Sequence, residues 1–218
     1  KAKAGQDVTL DALEGAGLLD RRAELKKRLR CIKDAHEAAD YATVADLFTG
    51  FPPELRLLGA EINSIEAMVR KKYLPDDRSR LILLVSDTAD GRAIGTILRR
   101  YFLHPDCPVG FCDCIVEKVE GLQDEKPLIF QKEGLPNLVR LLGEHYRKWG
   151  SAIAINATGG YKAQIALAVA FGQASGVPVY YKHERFDQII RFPKIPFSLD
   201  LSFLRNHLKF WADLAEPG

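Results

Sequence analysis

Two short apolar runs, each passing through a small polar loop into a helix, constrain this chain most. The first is Leu81-Ile82-Leu83-Leu84-Val85, which leads through Ser86-Asp87-Thr88-Ala89-Asp90-Gly91 into a helical stretch over 92–102. The second, over 152–156, leads through Ala157-Thr158-Gly159-Gly160 into a helix over 161–174. An unbroken apolar run such as 81–85 suits a strand buried on both faces. Further strands are expected over 112–119 and 177–182, with a helix over 135–149 between the first of these and the 152–156 run. Strands alternating with helices predict right-handed crossovers and an α/β fold. The expected form is a Rossmann-like, mostly parallel sheet with helices on both faces.

The first third has a different character. Helices are expected over 10–19, 21–39, 42–48 and 54–73; in the last, Leu55, Leu58, Ile62, Ile65, Met68 and Val69 recur at helical spacing. Pro75-Asp76-Asp77 breaks that helix. An edge strand over 187–192 and a closing helix over 199–214 complete the expected elements. The 218 residues are read as one domain, with 1–75 a helical insertion or lid and 80–198 the α/β core.

In open parallel sheets, ligands bind beyond the carboxyl ends of the strands. Two loops carry small polar residues there: Ser86, Asp87 and Thr88 with Gly91, and Asn156 through Lys162. A strand ending in Asn-x-Thr-Gly-Gly brings backbone amides to the N-terminus of the next helix, where the dipole favours an anion such as a phosphate. Lys162 adds a mobile positive charge in the first turn. Neither the Walker pattern nor the dinucleotide Gly-x-Gly-x-x-Gly is present. The competing uses are structural: Ser86, Asp87 and Thr88 can simply cap the next helix, and Gly159-Gly160 can be a tight strand-to-helix turn.

Composition narrows the partners. A net charge of +2, from 31 basic and 29 acidic residues, gives no global field for a long nucleic acid. No apolar run approaches the roughly 20 residues needed to span a bilayer, so no membrane is expected. Four cysteines are too few for a disulfide scaffold and point to the cytoplasm. No secretory signal heads the chain, and because it begins at Lys1 rather than Met, preceding residues are expected.

With both loops in view, the chain resembles the CRISPR-associated Rossmann-fold (CARF) proteins, and among them the standalone ring nucleases. The carrying segments are 84–91 and 155–163. Gly59-Ala60-Glu61-Ile62-Asn63-Ser64 and Val177-Pro178-Val179-Tyr180-Tyr181, leading to 192–196, support them. The resemblance implies a homodimer binding one cyclic tetra-adenylate across its two-fold axis, where each protomer meets the same chemical face of the ring. The Thr-Gly-Gly-x-Lys motif of the family contacts the phosphate backbone, and here it matches Thr158, Gly159, Gly160 and Lys162. The family normally opens with a strand and a Gly-Thr-Ser-type loop beside the scissile phosphate; no such segment is visible in this sequence.

The expected chemistry is cleavage by the RNA's own 2′-hydroxyl, with no metal or cofactor required. Lys162 is the candidate catalytic residue, stabilising charge with the amides of Gly159 and Gly160. Ser86, Asp87, Thr88, Gly91, Asn156 and Tyr161 complete the expected ligand-binding set. The rival reading is a sensor that holds the ring uncut and controls an effector.

Three other patterns compete for attention. His104, Cys107, Cys112 and Cys114 are able to hold zinc, but their spacing matches no usual finger or ribbon, and Cys112 and Cys114 are expected on one face of a buried strand. Arg-x-x-x-x-His, the signature of ribonuclease domains often fused to CARF domains, occurs as Arg99–His104 and Arg140–His145, both on crossover helices. Arg21, Arg22, Lys26, Lys27, Arg28, Arg30 and Lys33 make a basic helix, read as a solvated face or a lid. His183-Glu184-Arg185 follows the fourth strand.

Overall fold

The computed structural model describes residues 22–183 and 188–195; the expected helices over 10–19 and 199–214 lie outside them. Helix α1 (Arg22–Glu37) is charge-rich and turns Ile32 and Ala35 inward. Ala39, in the left-handed region at φ 55°, redirects the chain into α2 (Tyr41–Thr49). Asp40 caps α2, its carboxylate accepting from the Thr43 amide at 3.1 Å and the Thr43 hydroxyl at 2.6 Å. Those two bonds hold the Asp40 carboxyl below its ordinary range.

The single helix expected over 54–73 is broken. A 3-10 turn (Arg56–Leu58) precedes α3 (Gly59–Arg70), with Gly59 at φ 90° between them, a conformation open to glycine and strained for other residues. Helix α3 is the internal rod of the molecule: Ile62 through Met68 are all buried. Its polar members are largely satisfied, the exception among the described residues being Glu66 Oε2, which is buried with no hydrogen-bond partner. Asn63 donates to the carbonyls of Pro53 and Leu55, both at 2.7 Å, and Glu66 receives Arg70 at 2.9 Å.

Strand β1 (Arg80–Val85) leads into α4 (Ala89–Leu103) and then β2 (Asp113–Lys118), which pairs in parallel with β1 from Arg80↔Asp113 to Val85↔Lys118. A helical turn (Pro127–Ile129) and a π-helical turn (Phe130–Gly134) open into α5 (Leu135–Trp149). Strand β3 (Ile155–Asn156) is only two residues long; α6 (Lys162–Ser175) follows. Strand β4 (Val179–Lys182) pairs with β3 in parallel and with β5 (Ile189–Arg191) antiparallel. The α/β alternation is therefore present, but the expected single sheet is not continuous. The described strands form a two-stranded and a three-stranded sheet, and the edge strand runs the other way.

Helices cover both faces. Leu81 and Leu83 of β1 face the cluster that holds Ile62, Ile65, Ile97, Leu98, Tyr101 and Phe102. Leu84 points oppositely, into a cluster with Leu138 and Leu142 of α5, Ile155 of β3 and Phe171 of α6. On the first face α3 also reaches the other sheet, where Ala67 and Met68 pack on Tyr180 and Ile189. Thus α3 from one side and α5 from the other each touch both sheets. Close approach at the start of α5 depends on glycine: a Cβ on Gly134 would lie 2.5 Å from the Gly121 carbonyl oxygen. No helix among the described residues is long and apolar enough to cross a membrane.

Candidate functional site

The two loops singled out in the sequence leave the carboxyl ends of β1 and β3. In the first, Thr88 is the N-cap of α4 and accepts from the Gly91 amide at 2.9 Å. Its hydroxyl also shares a hydrogen bond with Ser86 Oγ at 2.9 Å. A Cβ on Gly91 would lie 2.5 Å from the Ser86 carbonyl oxygen, so glycine lets the helix start close over the strand end. Asp87 accepts from the Gly121 amide at 3.2 Å and pairs with Lys118 at 3.2 Å. The Gly121 bond first, and Lys118 second, hold the Asp87 carboxyl below its ordinary value. These residues tie the loop to the segment leaving β2, whose Leu122 carbonyl accepts from the Asp87 amide at 2.9 Å.

The second loop is built the other way. Asn156 donates through Nδ2 to Ser64 Oγ of α3 at 2.7 Å, and its Oδ1 receives both the Thr158 amide at 3.2 Å and the Thr158 hydroxyl at 2.7 Å. That hydroxyl accepts in turn from the Lys182 amide of β4 at 3.0 Å. Ser64, fully buried, donates its own hydroxyl hydrogen bond to the Glu61 carbonyl at 3.1 Å. The side chains of Asn156 and Thr158 are thus spent on locking the loop between α3 and β4. Gly160 stands at φ 101°, and Gln164 accepts from the Tyr161 amide at 2.8 Å. Among the described residues, no hydrogen bond uses the amides of Gly159, Gly160 or Lys162. Lys162 is exposed at the first position of α6. Unpaired donors at a helix N-terminus beside an ammonium group make a place for an anion.

Tyr161 packs its ring edge-on to Phe130 at 5.6 Å. Burial first, then the nearby Asp124 carboxylate, pushes its phenol above the ordinary value. The segment after β2 therefore touches both loops, through Leu122 and Gly121 on one side and Asp124 on the other. No hydrogen bond, ion pair or ring contact among the described residues joins Ser86 or Thr88 directly to residues 156–162. Two neighbours of the second loop were missed from sequence. Glu61, in the first turn of α3, lies so close that a Cβ on Gly159 would be 2.6 Å from its Oε1. Lys182 ends β4 beside Thr158 and reaches the Asn63 carbonyl at 3.3 Å. Segment 59–64 enters the sequence reading only through the resemblance; nothing local assigns either residue to the loop.

The remaining patterns resolve into structure. Arg99 donates to the Cys114 carbonyl at 2.9 Å, His104 caps the C-terminus of α4, Arg140 pairs with Glu144 at 2.6 Å, and His145 meets Glu117 at 2.9 Å. Neither Arg–His pair converges. Cys114 is buried in β2 and burial pushes its thiol up to about 12, but Cys112 precedes the strand and is exposed, contrary to the expected shared face. Among the described residues, no three His, Cys, Asp or Glu side chains gather into a metal-holding group.

Fold and loop together define the class: an α/β protein with helices on both sides of its strands and an amide-lined turn at one strand end. A family model described as CRISPR-associated protein (Cas_APE2256) matches residues 56–195, and the chain belongs to that family. The matched span holds all five described strands and leaves α1 and α2 outside. No curated protein matches the chain.

Proposed function

We infer that this CRISPR-associated protein is a ring nuclease of the CARF type. It binds cyclic tetra-adenylate between the facing rims of a homodimer in the cytoplasm and cleaves it, switching off type III signalling. The observation that carries the reading is the turn at 158–162. Within it the amides of Gly159, Gly160 and Lys162 take no hydrogen bond among the described residues, the side chains of Asn156 and Thr158 lock it to α3 and β4, and an exposed lysine opens the next helix. Such a turn is prepared for phosphoryl oxygens before any ligand arrives, which spares reorganisation when charge builds up. Each 2′-hydroxyl attacks its own phosphorus when the ribose is held in line with the departing 5′-oxygen. Lys162 and the Gly159 and Gly160 amides stabilise the added negative charge, while Ser86 and Thr88 steer the neighbouring backbone. The test is incubation with cyclic tetra-adenylate in EDTA, followed by chromatography. Linear products ending in a 2′,3′-cyclic phosphate are expected; failure to bind the ring refutes the reading.

One observation favours the rival, a sensor that holds the ring without cutting it. The hydroxyls at the first loop are already engaged, Thr88 in capping α4 and Ser86 with Thr88. Tight binding with an unchanged ring would select the sensor.

A further inference from the structure

Resting on the ring-nuclease reading, we propose that Glu61 is a catalytic residue of this site, its carboxylate receiving the ribose 2′-hydroxyl and taking its proton. Glu61 occupies the first turn of α3, where an acidic residue suits the helix dipole. That use requires no particular reach. Yet the side chain extends across to the second loop: Oε1 lies 2.6 Å, and Cγ 3.6 Å, from where Gly159 would carry a Cβ. Its Oε2 stays within 3.3 Å of the corresponding position on Gly59, so the carboxylate bridges the start of α3 and the glycine turn. Among the described residues its carboxylate takes no hydrogen bond or ion pair, so it does not cap the helix it starts. Its backbone is fixed by the Ser64 bond, and Ser64 is fixed to Asn156. Carboxylate and turn are therefore held in one frame.

A carboxylate at the mouth of an anion site repels a phosphate placed directly on it. It is compatible with an RNA only if a donor of the RNA meets it. The ribose 2′-hydroxyl is the donor beside every phosphodiester, and it is the one whose proton must leave. Lys162 opens α6 at the end of the same turn, where it meets the phosphate, and Lys182 of β4 reaches the Asn63 carbonyl of the helix that carries Glu61. The step balances. A 2′-oxygen lone pair forms the new bond to phosphorus as its proton passes to Glu61. The bond from phosphorus to the 5′-oxygen breaks with its electron pair, that oxygen takes a proton from water, and Glu61 returns its own to solvent.

The experiment compares the wild type with Glu61→Gln, an isosteric change that cannot accept the proton. Cleavage of cyclic tetra-adenylate in EDTA is expected to slow by about 100-fold or more. Ring affinity, measured in the Lys162→Ala background so that the ring survives, is expected to hold or rise. In that background Glu61 should favour the ribose ring over the all-2′-deoxy ring by about tenfold or more, as a hydrogen bond to a charged group does. Glu61→Gln should erase most of that preference. Glu61→Asp, which keeps the charge but withdraws it by one methylene, should cleave at an intermediate rate and covers the case in which the glutamine variant melts early. Cleavage by Glu61→Gln within about threefold of wild type, against the 100-fold expected of a lost general base, would overturn the proposal, as would an undiminished ribose preference. A wild type that holds the ring uncut would overturn the nuclease reading and the proton transfer with it. In that event the ribose preference still tells whether Glu61 meets the hydroxyl.

Discussion

The loop after β1 and the loop after β3 are made of similar residues and are wired in opposite directions. At the first, Thr88, Ser86 and Asp87 turn their polar atoms onto the start of α4 and the segment leaving β2. At the second, Asn156 and Thr158 turn theirs backward onto α3 and β4, and the amides of Gly159, Gly160 and Lys162 are left without a hydrogen bond among the described residues. A hydroxyl or carboxamide at a strand end is therefore no guide to what it touches. What matters is which group claims its hydrogen bonds. In the first loop the side chains complete the fold around α4; in the second they lock the loop to α3 and β4 and leave part of its backbone without partners among the described residues.

Four changes press on that contrast. Lys162→Ala, which removes the exposed cation of the second loop, is expected to lower ring cleavage by about 100- to 1,000-fold and to weaken binding. Product chromatography checks it, and intact cleavage would end the assignment. Gly160→Ala forces a side chain into a left-handed position at φ 101°. Denaturant unfolding should show a loss of about 1–2 kcal/mol, with ring affinity falling as the turn shifts. Thr88→Ala should cost about 1 kcal/mol of stability through the lost cap, while lowering ring affinity less than Lys162→Ala does. If instead affinity collapsed and stability held, the two loops would have to exchange their roles.

The smallest effect concerns Asp87 and acid. Its folded carboxyl ionises more readily than the ordinary value of 3.8, so its contribution is complete above that pH and is lost as pH falls through the lower folded value. Asp87→Asn should flatten the drop in melting temperature in that window while lowering stability slightly at neutral pH. An unchanged acid profile would show that the Gly121 and Lys118 contacts contribute nothing measurable.

Much of the architecture was legible along the chain, because period and punctuation are local. The run at 81–85, the turn at Thr158-Gly159-Gly160 and the helix after it all fall where expected. The errors arise where distant groups decide. The 54–73 pattern hides the break at Gly59, since apolar spacing continues across it while the backbone does not. The strand before Asn156 shrinks to two residues, because ladder bonds to β4 extend only through 155–157. Cys112 is exposed one residue ahead of β2, so the strand's alternation never reaches it. The proposed site shows the same division. Lys162 and the glycines announce themselves by motif, whereas Glu61 and Lys182 belong to it only through tertiary contacts that leave no pattern in the sequence.

One consequence follows from the buried rod α3. The helix that packs on both sheets from one side also carries, in its first two turns, the serine that anchors the loop and the acid that lies against it. A slight rotation of this rod to repack Met68 or Ile65 would swing both groups at its other end. Mechanical firmness and chemical alignment are thus inherited as one trait. Substitutions meant to reshape the surroundings of the second loop are therefore better placed in α6 or the segment after β2 than in α3.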